Sequence, residues 1–241
     1  LRGVRGGEPD QACHLGHHPT EPTMPQADLN ALVKKVYDWG VPLINHTNGD
    51  STIGMFLKAV ELARGGDYSK PWNVTTIHTQ FVRKDQLAKF GPMKIRPSFY
   101  TEHTFYFSDA HRANRGEKQA AYISPMRDAI DMGLHPTNHT DFYVAPLDQM
   151  FMMWTAVNRP TRSGGTLGAG QCITPYEALK SQTIWAAEQY DEQDRRGTLS
   201  VGKIADIVVL DKNPLKLDKK TIKDIKVMET IKEGSTIYTR K

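Results

Sequence analysis

The sequence predicts an α/β protein in which half of a (β/α)8 barrel is followed by part of a small β module. Short β-branched runs alternate four times with segments of helical apolar spacing, a pattern typical of βαβ units and a parallel sheet. Four such units make half of an eight-unit barrel. A glycine-punctuated segment, GTLSVGKIADIVVLD, follows the last helical segment and predicts a separate set of strands.

Three regions follow from this alternation. Residues 1–22 are rich in Gly, Pro and His without apolar periodicity, which predicts an irregular lead-in. Residues 23–190 carry the four repeated units and are predicted to form the half barrel. Residues 191–241 are predicted to form the C-terminal part of a small β-sandwich module.

The first unit begins with Thr23 and Pro25, a plausible helix start, and its apolar residues recur at helical spacing up to Gly40. The short apolar run VPLIN follows and ends at His46. A second helix is predicted for residues 51–64, which Gly65 ends, and the β-branched run NVTTIHTQ then carries His78.

The remaining units repeat this order. The prediction gives a helix at 84–90, the strand KIRPSFY, a long loop through Asp109 and Arg115, a helix at 124–132, and the segment LHPTNHTDF with Asp141. Helices are then predicted at 146–157 and 174–189, followed by late strands near 226–231 and 236–239.

Composition excludes several classes of function. The chain has 241 residues, of which 39% are hydrophobic and 24% charged, and no apolar stretch approaches the ~20 residues of a membrane span. The basic residues near Lys219 are interrupted by acidic ones and lack interleaved aromatic residues, which argues against nucleic-acid binding. Two distant cysteines, Cys13 and Cys172, indicate neither a disulfide framework nor a cysteine zinc site, and they favour a cytoplasmic location.

His46, His78 and Asp141 each lie at or just beyond the carboxyl end of a predicted parallel strand. Barrel enzymes place their catalytic groups on that face. Two imidazoles and a carboxylate that converge there suit a divalent metal such as zinc. A single histidine of this kind is more often a surface or hydrogen-bonded core residue, but equivalent positions in separate units favour a metal site.

Six segments, taken in order, resemble amidohydrolase family 3, the branch of the amidohydrolase superfamily that includes N-substituted formamide deformylase. They are INHTNGD, TIHTQFVRKDQL, HTDF, AVNRPTRSG, ITPYEALKSQTIWAAEQYDEQDRRGTLSVGKIADIVVLDKNPL and VMETIKEGSTIY. The likeness runs from about residue 23 to the end and identifies the chain with the C-terminal half of such a protein.

The resemblance implies roles for the three strand-end residues. His46 and His78 match metal-binding histidines on the fifth and sixth barrel strands, and Asp141 matches the metal-binding, proton-shuttling aspartate of the eighth. The implied cofactor is a divalent metal, most simply zinc, with one or two ions in a complete member. The implied substrate is a small amide-like molecule whose carbon–nitrogen bond is hydrolysed by activated water.

Three further residues are candidates for contact with the substrate or for support of the metal ligands. His103 follows the seventh strand and is placed to hydrogen-bond the substrate. The alternative interpretation, a loop histidine without a role in binding, is equally consistent with the sequence. His139 is close enough in sequence to orient Asp141, or else faces solvent. Asp50 either hydrogen-bonds near the metal or merely begins the next helix.

The chain departs from the family pattern because it contains no His-x-His pair, and Leu1 rather than methionine stands first. The first four barrel units are therefore expected to lie outside this chain. Two hypotheses follow. The chain is a hydrolase that is complete only in a parent protein or with a complementing half barrel, or it is a non-catalytic remnant that associates with itself or another chain.

Overall fold

The computed structural model of the chain describes residue 22 and residues 24–241. The predicted irregular lead-in therefore lies outside the described residues, apart from Pro22, and so does the helix start at Thr23. The central feature is a parallel sheet with the strand order β1-β2-β3-β4. Its strands are β1 (Leu43–Thr47), β2 (Val74–His78), β3 (Ile95–Phe99) and β4 (Thr137–Asn138).

Helices follow the strands, as the alternation predicted. They are α1 (Gln26–Trp39), α2 (Asp50–Arg64), α3 (Lys84–Leu87), α4 (His103–Tyr106), α5 (Ser108–Ala121), α6 (Met126–Asp131), α7 (Gln149–Asn158), α8 (Pro175–Ser181) and α9 (Ile184–Gln189). The parallel four-stranded order with intervening helices is that of a partial (β/α)8 barrel.

The core lies between the sheet and the helices that cover it. Phe56 of α2, Phe90 and Phe99 are completely buried, and Met126 of α6 joins the same apolar cluster. The glycines predicted to end α1 and α2 do so: Gly40 and Gly65 both adopt left-handed backbone angles that favour residues without a Cβ atom.

Two predicted elements differ from the structure. The long loop predicted through Asp109 and Arg115 is largely helical, because it forms α4 and α5, with a break in helical geometry at Gly116 (φ 73°, ψ 162°). Only Ser108 and Ala120 of α5 are buried, so this segment lacks the apolar stripe by which a helix is recognised. The single helix predicted at 174–189 is two helices, α8 and α9, separated at Thr183.

The late strands form a second sheet, which is antiparallel and has the order β5-β6-β7. Its strands are β5 (Ile207–Leu210), β6 (Val227–Lys232) and β7 (Ser235–Thr239). A 3-10 helix at Lys219–Asp224 carries the buried Ile222 and packs on α7, which ties this sheet to the first one. Within the described part of the chain, no helix is long and apolar enough to cross a membrane.

Candidate metal centre

His46 and His78 lie side by side at the carboxyl ends of β1 and β2. In the parallel register His46 is opposite Ile77, so a regular strand would turn the side chains of His46 and His78 to opposite faces. His78 instead has a left-handed φ of 70°, an uncommon angle for a residue other than glycine. The two rings consequently meet edge to face, with centroids 4.5 Å apart.

Asp141 reaches the same place from the segment after β4. It also has a left-handed φ, 52°, and its Oδ2 atom lies 3.9 Å from Nε2 of His78. That distance is too long for a hydrogen bond. It is near the separation of roughly 3.3 Å expected between two ligands of one tetrahedral zinc with bonds of 2.0–2.1 Å.

His139 is held between β3 and His78. Its Nδ1 atom lies 3.1 Å from Oγ of Ser98, and its Nε2 atom lies 3.2 Å from Nδ1 of His78. One potential ligand atom from each of His78, His139 and Asp141 lies within 4.8 Å of the others. The structure thus brings these three together, with His46 beside His78 but outside that group.

The donor set fits a divalent transition metal. Imidazole nitrogen and carboxylate oxygen are ligands that zinc accepts, and a carboxylate alone would favour magnesium or calcium instead. The carboxylate of Asp141 is 36% exposed, whereas the side chain of His78 is 4% exposed. The group is therefore open to solvent on the Asp141 side.

Burial keeps the histidines of this group neutral. Burial, reinforced by the neighbouring His46, lowers the pKa of His78 to about 4, although Asp141 opposes the shift. Burial, together with His78 and His46, lowers the pKa of His139 to about 3, and burial also lowers the pKa of His46. Neutral imidazoles keep a lone pair on one nitrogen, which metal binding requires.

His103 packs next to this group without entering it. Its ring centroid is 5.6 Å from that of His78 and 4.3 Å from that of Tyr100. The ring is buried, and its Nδ1 atom has no hydrogen-bond partner within the described part of the chain. Burial, with the nearby His78, holds the pKa of His103 well below its usual range. Its role in substrate contact remains a prediction.

Asp50 follows the carboxyl end of β1. It is the first residue of α2, and its buried carboxylate accepts a hydrogen bond from the Ser51 amide and lies 3.3 Å from the Arg83 guanidinium. Its backbone carbonyl accepts a hydrogen bond from Gln86. These contacts agree with the interpretation that Asp50 begins the helix, and none of them is made with the histidine group.

Sequence reasoning missed a contact between Gln80, which follows β2, and His111. Nε2 of Gln80 lies 2.7 Å from Nε2 of His111, and the His111 ring packs edge to face on Phe81 at 5.1 Å. Burial, with the nearby Arg115, lowers the pKa of His111 to about 4. His111 lies on α5, and the prediction of a loop there concealed that it points back toward the strand ends.

A cavity of about 500 Å³ lies at the other edge of the sheet. Its lining includes Asn73, Lys94 and His135, which precede β2, β3 and β4 respectively, together with Asp191. These residues are at the amino ends of the strands, so the cavity and the histidine group occupy opposite ends of the half barrel. The residues His78, His139 and Asp141 do not line this cavity.

Glu102, which begins the turn of α4, is completely buried, and neither carboxylate oxygen has a hydrogen-bond partner among residues 24–241. Burial, reinforced by Asp148, raises its pKa from 4.5 to about 8. The folded state therefore holds the proton more tightly than the unfolded state does. Between pH 4.5 and 8 the free energy of unfolding should therefore fall as the pH rises, by on the order of 1 kcal/mol per pH unit.

Glu102→Gln removes the titration while nearly preserving shape. We expect the variant and the wild type to unfold at similar urea concentrations near pH 4.5, and the variant to become relatively more stable as the pH approaches 8. Urea unfolding followed by circular dichroism across this range measures the difference. A difference that did not change with pH would show that Glu102 ionises normally in the folded protein.

Comparison with known proteins places this geometry in context. A model of the amidohydrolase family matches residues 6–238. The N-substituted formamide deformylase of Arthrobacter pascens is 24% identical over 220 residues, which cover 89% of this chain and 40% of that protein. The putative amidohydrolase YtcJ of Bacillus subtilis (strain 168) is 22% identical over 221 residues, with 88% and 40% covered.

A similar fold occurs in the crystal structure of an uncharacterized metal-dependent hydrolase from Pyrococcus furiosus. The TM-score is 0.71 with 23% sequence identity, over 83% of this chain and 39% of that one. The chain therefore spans about 40% of the length of the relatives it matches.

Proposed function

Because the chain belongs to the amidohydrolase family, we propose that it supplies one half of the active site of a metal-dependent hydrolase. The proposed reaction is hydrolysis of a carbon–nitrogen bond, other than a peptide bond, in a small amide-like molecule. The observation that carries the proposal is the approach of Asp141 Oδ2 to within 3.9 Å of His78 Nε2 at the carboxyl ends of the strands.

The residues that would hold the ion are His78, Asp141 and, next to them, His46. Zinc is the proposed metal, since two neutral imidazoles and a carboxylate form a ligand set of the type found in catalytic zinc sites. When bound, a divalent ion supplies Lewis-acid activation of water and of the substrate carbonyl. Because the carboxylate of Asp141 is 36% exposed, the water and the substrate carbonyl could both approach from that side.

Asp141 would move the proton. As the water oxygen forms its bond to the carbonyl carbon, Asp141 accepts the proton that the water loses. When the carbon–nitrogen bond breaks, the carboxyl of Asp141 returns that proton to the leaving nitrogen. The products are a carboxylic acid and an amine, so atoms and charges balance without another reactant. His103, buried beside His78, is proposed to orient the substrate or its oxyanion from the same face.

We further propose that this active site is completed by a second half barrel, either a distinct one that carries a His-x-His pair or a second copy of this chain. Strand β1 pairs only with β2 in the described sheet. Ile44 of β1 is 52% exposed, and Trp39 just before it is 64% exposed. An edge strand with exposed apolar residues favours pairing with further strands.

The isolated chain should bind zinc weakly and show little or no hydrolysis. The proposed ligands His46, His78 and Asp141 all come from one half of the barrel, and the sequence has no His-x-His pair that could hold the ion from the other side. Displacement of reacting groups by about 1 Å costs on the order of 100-fold in rate. Elemental analysis and turnover of a panel of N-formyl and N-acyl amines with added zinc measure both properties.

A matched pair of variants makes the test specific to the site. His78→Ala should remove the residual zinc binding, whereas His135→Ala, at the amino end of β4, should leave it unchanged. Stoichiometric zinc in the wild-type chain together with turnover near ~10 per second, the median for enzymes, would show that this chain suffices without a second half barrel. Equal zinc binding by wild type and His78→Ala would contradict the proposed site.

A further inference from the structure

The ring nitrogens of His139 are both occupied by neighbouring side chains. Ser98 Oγ lies 3.1 Å from Nδ1 of His139, and His78 Nδ1 lies 3.2 Å from Nε2 of His139. An imidazole has only two nitrogens that can donate or accept a hydrogen bond or bind a metal. His139 therefore has no nitrogen left for an ion while these contacts are kept.

His78 differs from His139 in this respect. Its Nδ1 atom is engaged by His139, but its Nε2 atom faces Asp141 at 3.9 Å, beyond hydrogen-bond distance. The Nε2 lone pair of His78 is thus the nitrogen that remains available next to the carboxylate. A lone pair there requires the proton of the neutral ring to be on Nδ1.

We infer that His139 is a positioning residue for His78 rather than a metal ligand itself. In this arrangement Nδ1–H of His78 donates to Nε2 of His139, and Nδ1–H of His139 donates to Oγ of Ser98. The chain of hydrogen bonds fixes both the ring orientation and the tautomer of His78, so that its Nε2 atom points at Asp141. Metal-binding histidines are commonly held in this way through their second nitrogen.

The support is rigid because Ser98 lies on a strand. Ser98 is buried in β3, where it is opposite Ile77 of β2 and Thr137 of β4 in the parallel register. His139 follows β4 directly, and its backbone amide donates to the carbonyl of Phe99. The Ser98–His139 pair therefore joins two strands before it reaches His78, and His78, with its left-handed φ, needs such support more than a residue inside a strand would.

The purpose of this support, which is to orient a metal ligand, rests on the proposed function, but the first test of the inference does not depend on a metal. In the metal-free chain labelled with 15N-histidine, the proton positions of His78 and His139 can be read by NMR at about pH 8, above the usual imidazole pKa. We expect both rings to carry the proton on Nδ1. In His139→Leu, where the acceptor is lost, His78 should populate both tautomers. A wild-type His78 ring protonated on Nε2 would overturn the inference.

Zinc affinity provides the second test. His139→Leu should weaken zinc binding by roughly 10–100-fold, the usual loss when a partner of a metal-bound histidine is removed. His139→Gln should recover most of that loss, because its amide can accept from His78 and donate to Ser98. His135→Leu is the matched control and should leave zinc affinity unchanged. Equal losses in His139→Gln and His139→Leu would show that His139 binds the metal directly.

The two tests separate the inference from the proposed function. If the wild-type chain bound no zinc at all, the proposed metal site would fail, and the tautomers in the metal-free spectra would still decide whether His139 positions His78.

Discussion

Replacing Asp141 with asparagine is expected to reduce hydrolysis by about 10²–10⁴-fold, the usual contribution of a group that transfers a proton in the transition state. Asparagine nearly preserves the volume of the side chain, but its amide cannot accept the proton from water. Because the side chain of Asp141 is 36% exposed, the fold should survive the substitution.

The measurement is turnover of N-formyl and N-acyl amines by the zinc-loaded chain assembled with the proposed complementing half barrel, together with a thermal melt of each variant. Asp191→Asn is the matched control, since Asp191 lies at the amino end of the sheet, where it contacts Asn73 and Arg96. Turnover by Asp141→Asn close to that of Asp191→Asn would remove Asp141 as the proton carrier and leave its role as a ligand.

The architecture could be predicted because it is encoded locally. The β-branched run that became β2 and the apolar run that became β1 are each bounded by a glycine-ended helix, and glycines at positions 40 and 65 end those helices as predicted. The parallel order of the four strands then follows from the helices between them. The membership of the amidohydrolase family is confirmed by the match to residues 6–238.

The detail of the candidate centre could not be predicted because it depends on backbone angles and on register. The strand ends indicated His46, His78 and Asp141, but no sequence pattern predicts the left-handed φ of His78, which turns its ring toward His46 and His139. The contact between His139 and Ser98 joins residues that are 41 positions apart. Contacts of this kind arise only when the sheet is assembled.

The role of Arg159 was also beyond sequence reasoning, although it lies in the family-like segment AVNRPTRSG. Its side chain is completely buried at the end of α7. Its guanidinium donates hydrogen bonds to four backbone carbonyls, those of Ala121, Ile123, Ser124 and Leu167. Burial lowers its pKa to about 10, so the side chain still carries its charge at neutral pH.

These four carbonyls belong to two segments that are distant in sequence, the end of α5 with the turn after it and the loop that follows α7. Gly168 allows the two segments to approach closely: a Cβ atom there would lie 2.8 Å from the carbonyl carbon of Ala121, one of the four residues that Arg159 binds. No single ordinary side chain other than arginine offers five donors in a planar fork. Arg159 therefore connects the two segments from inside the core.

Arg159→Met is expected to lower the free energy of unfolding by about 3–5 kcal/mol, the upper range for a single substitution that breaks a buried hydrogen-bond network. Methionine fills much of the space but leaves the four carbonyls unpaired, and each unpaired buried group costs about 1–3 kcal/mol before relaxation. Arg159→Lys should lose nearly as much, because an ammonium has three donors and no planar fork.

Arg162→Met is the control, since Arg162 is exposed and its guanidinium lies over Phe105 and Tyr106. Urea unfolding of the four proteins measures the difference, and a loss in Arg159→Met no larger than in Arg162→Met would mean that the carbonyls find water or other donors once the guanidinium is gone. Since natural domains are stable by only about 5–15 kcal/mol, the expected loss is a large fraction of the total stability.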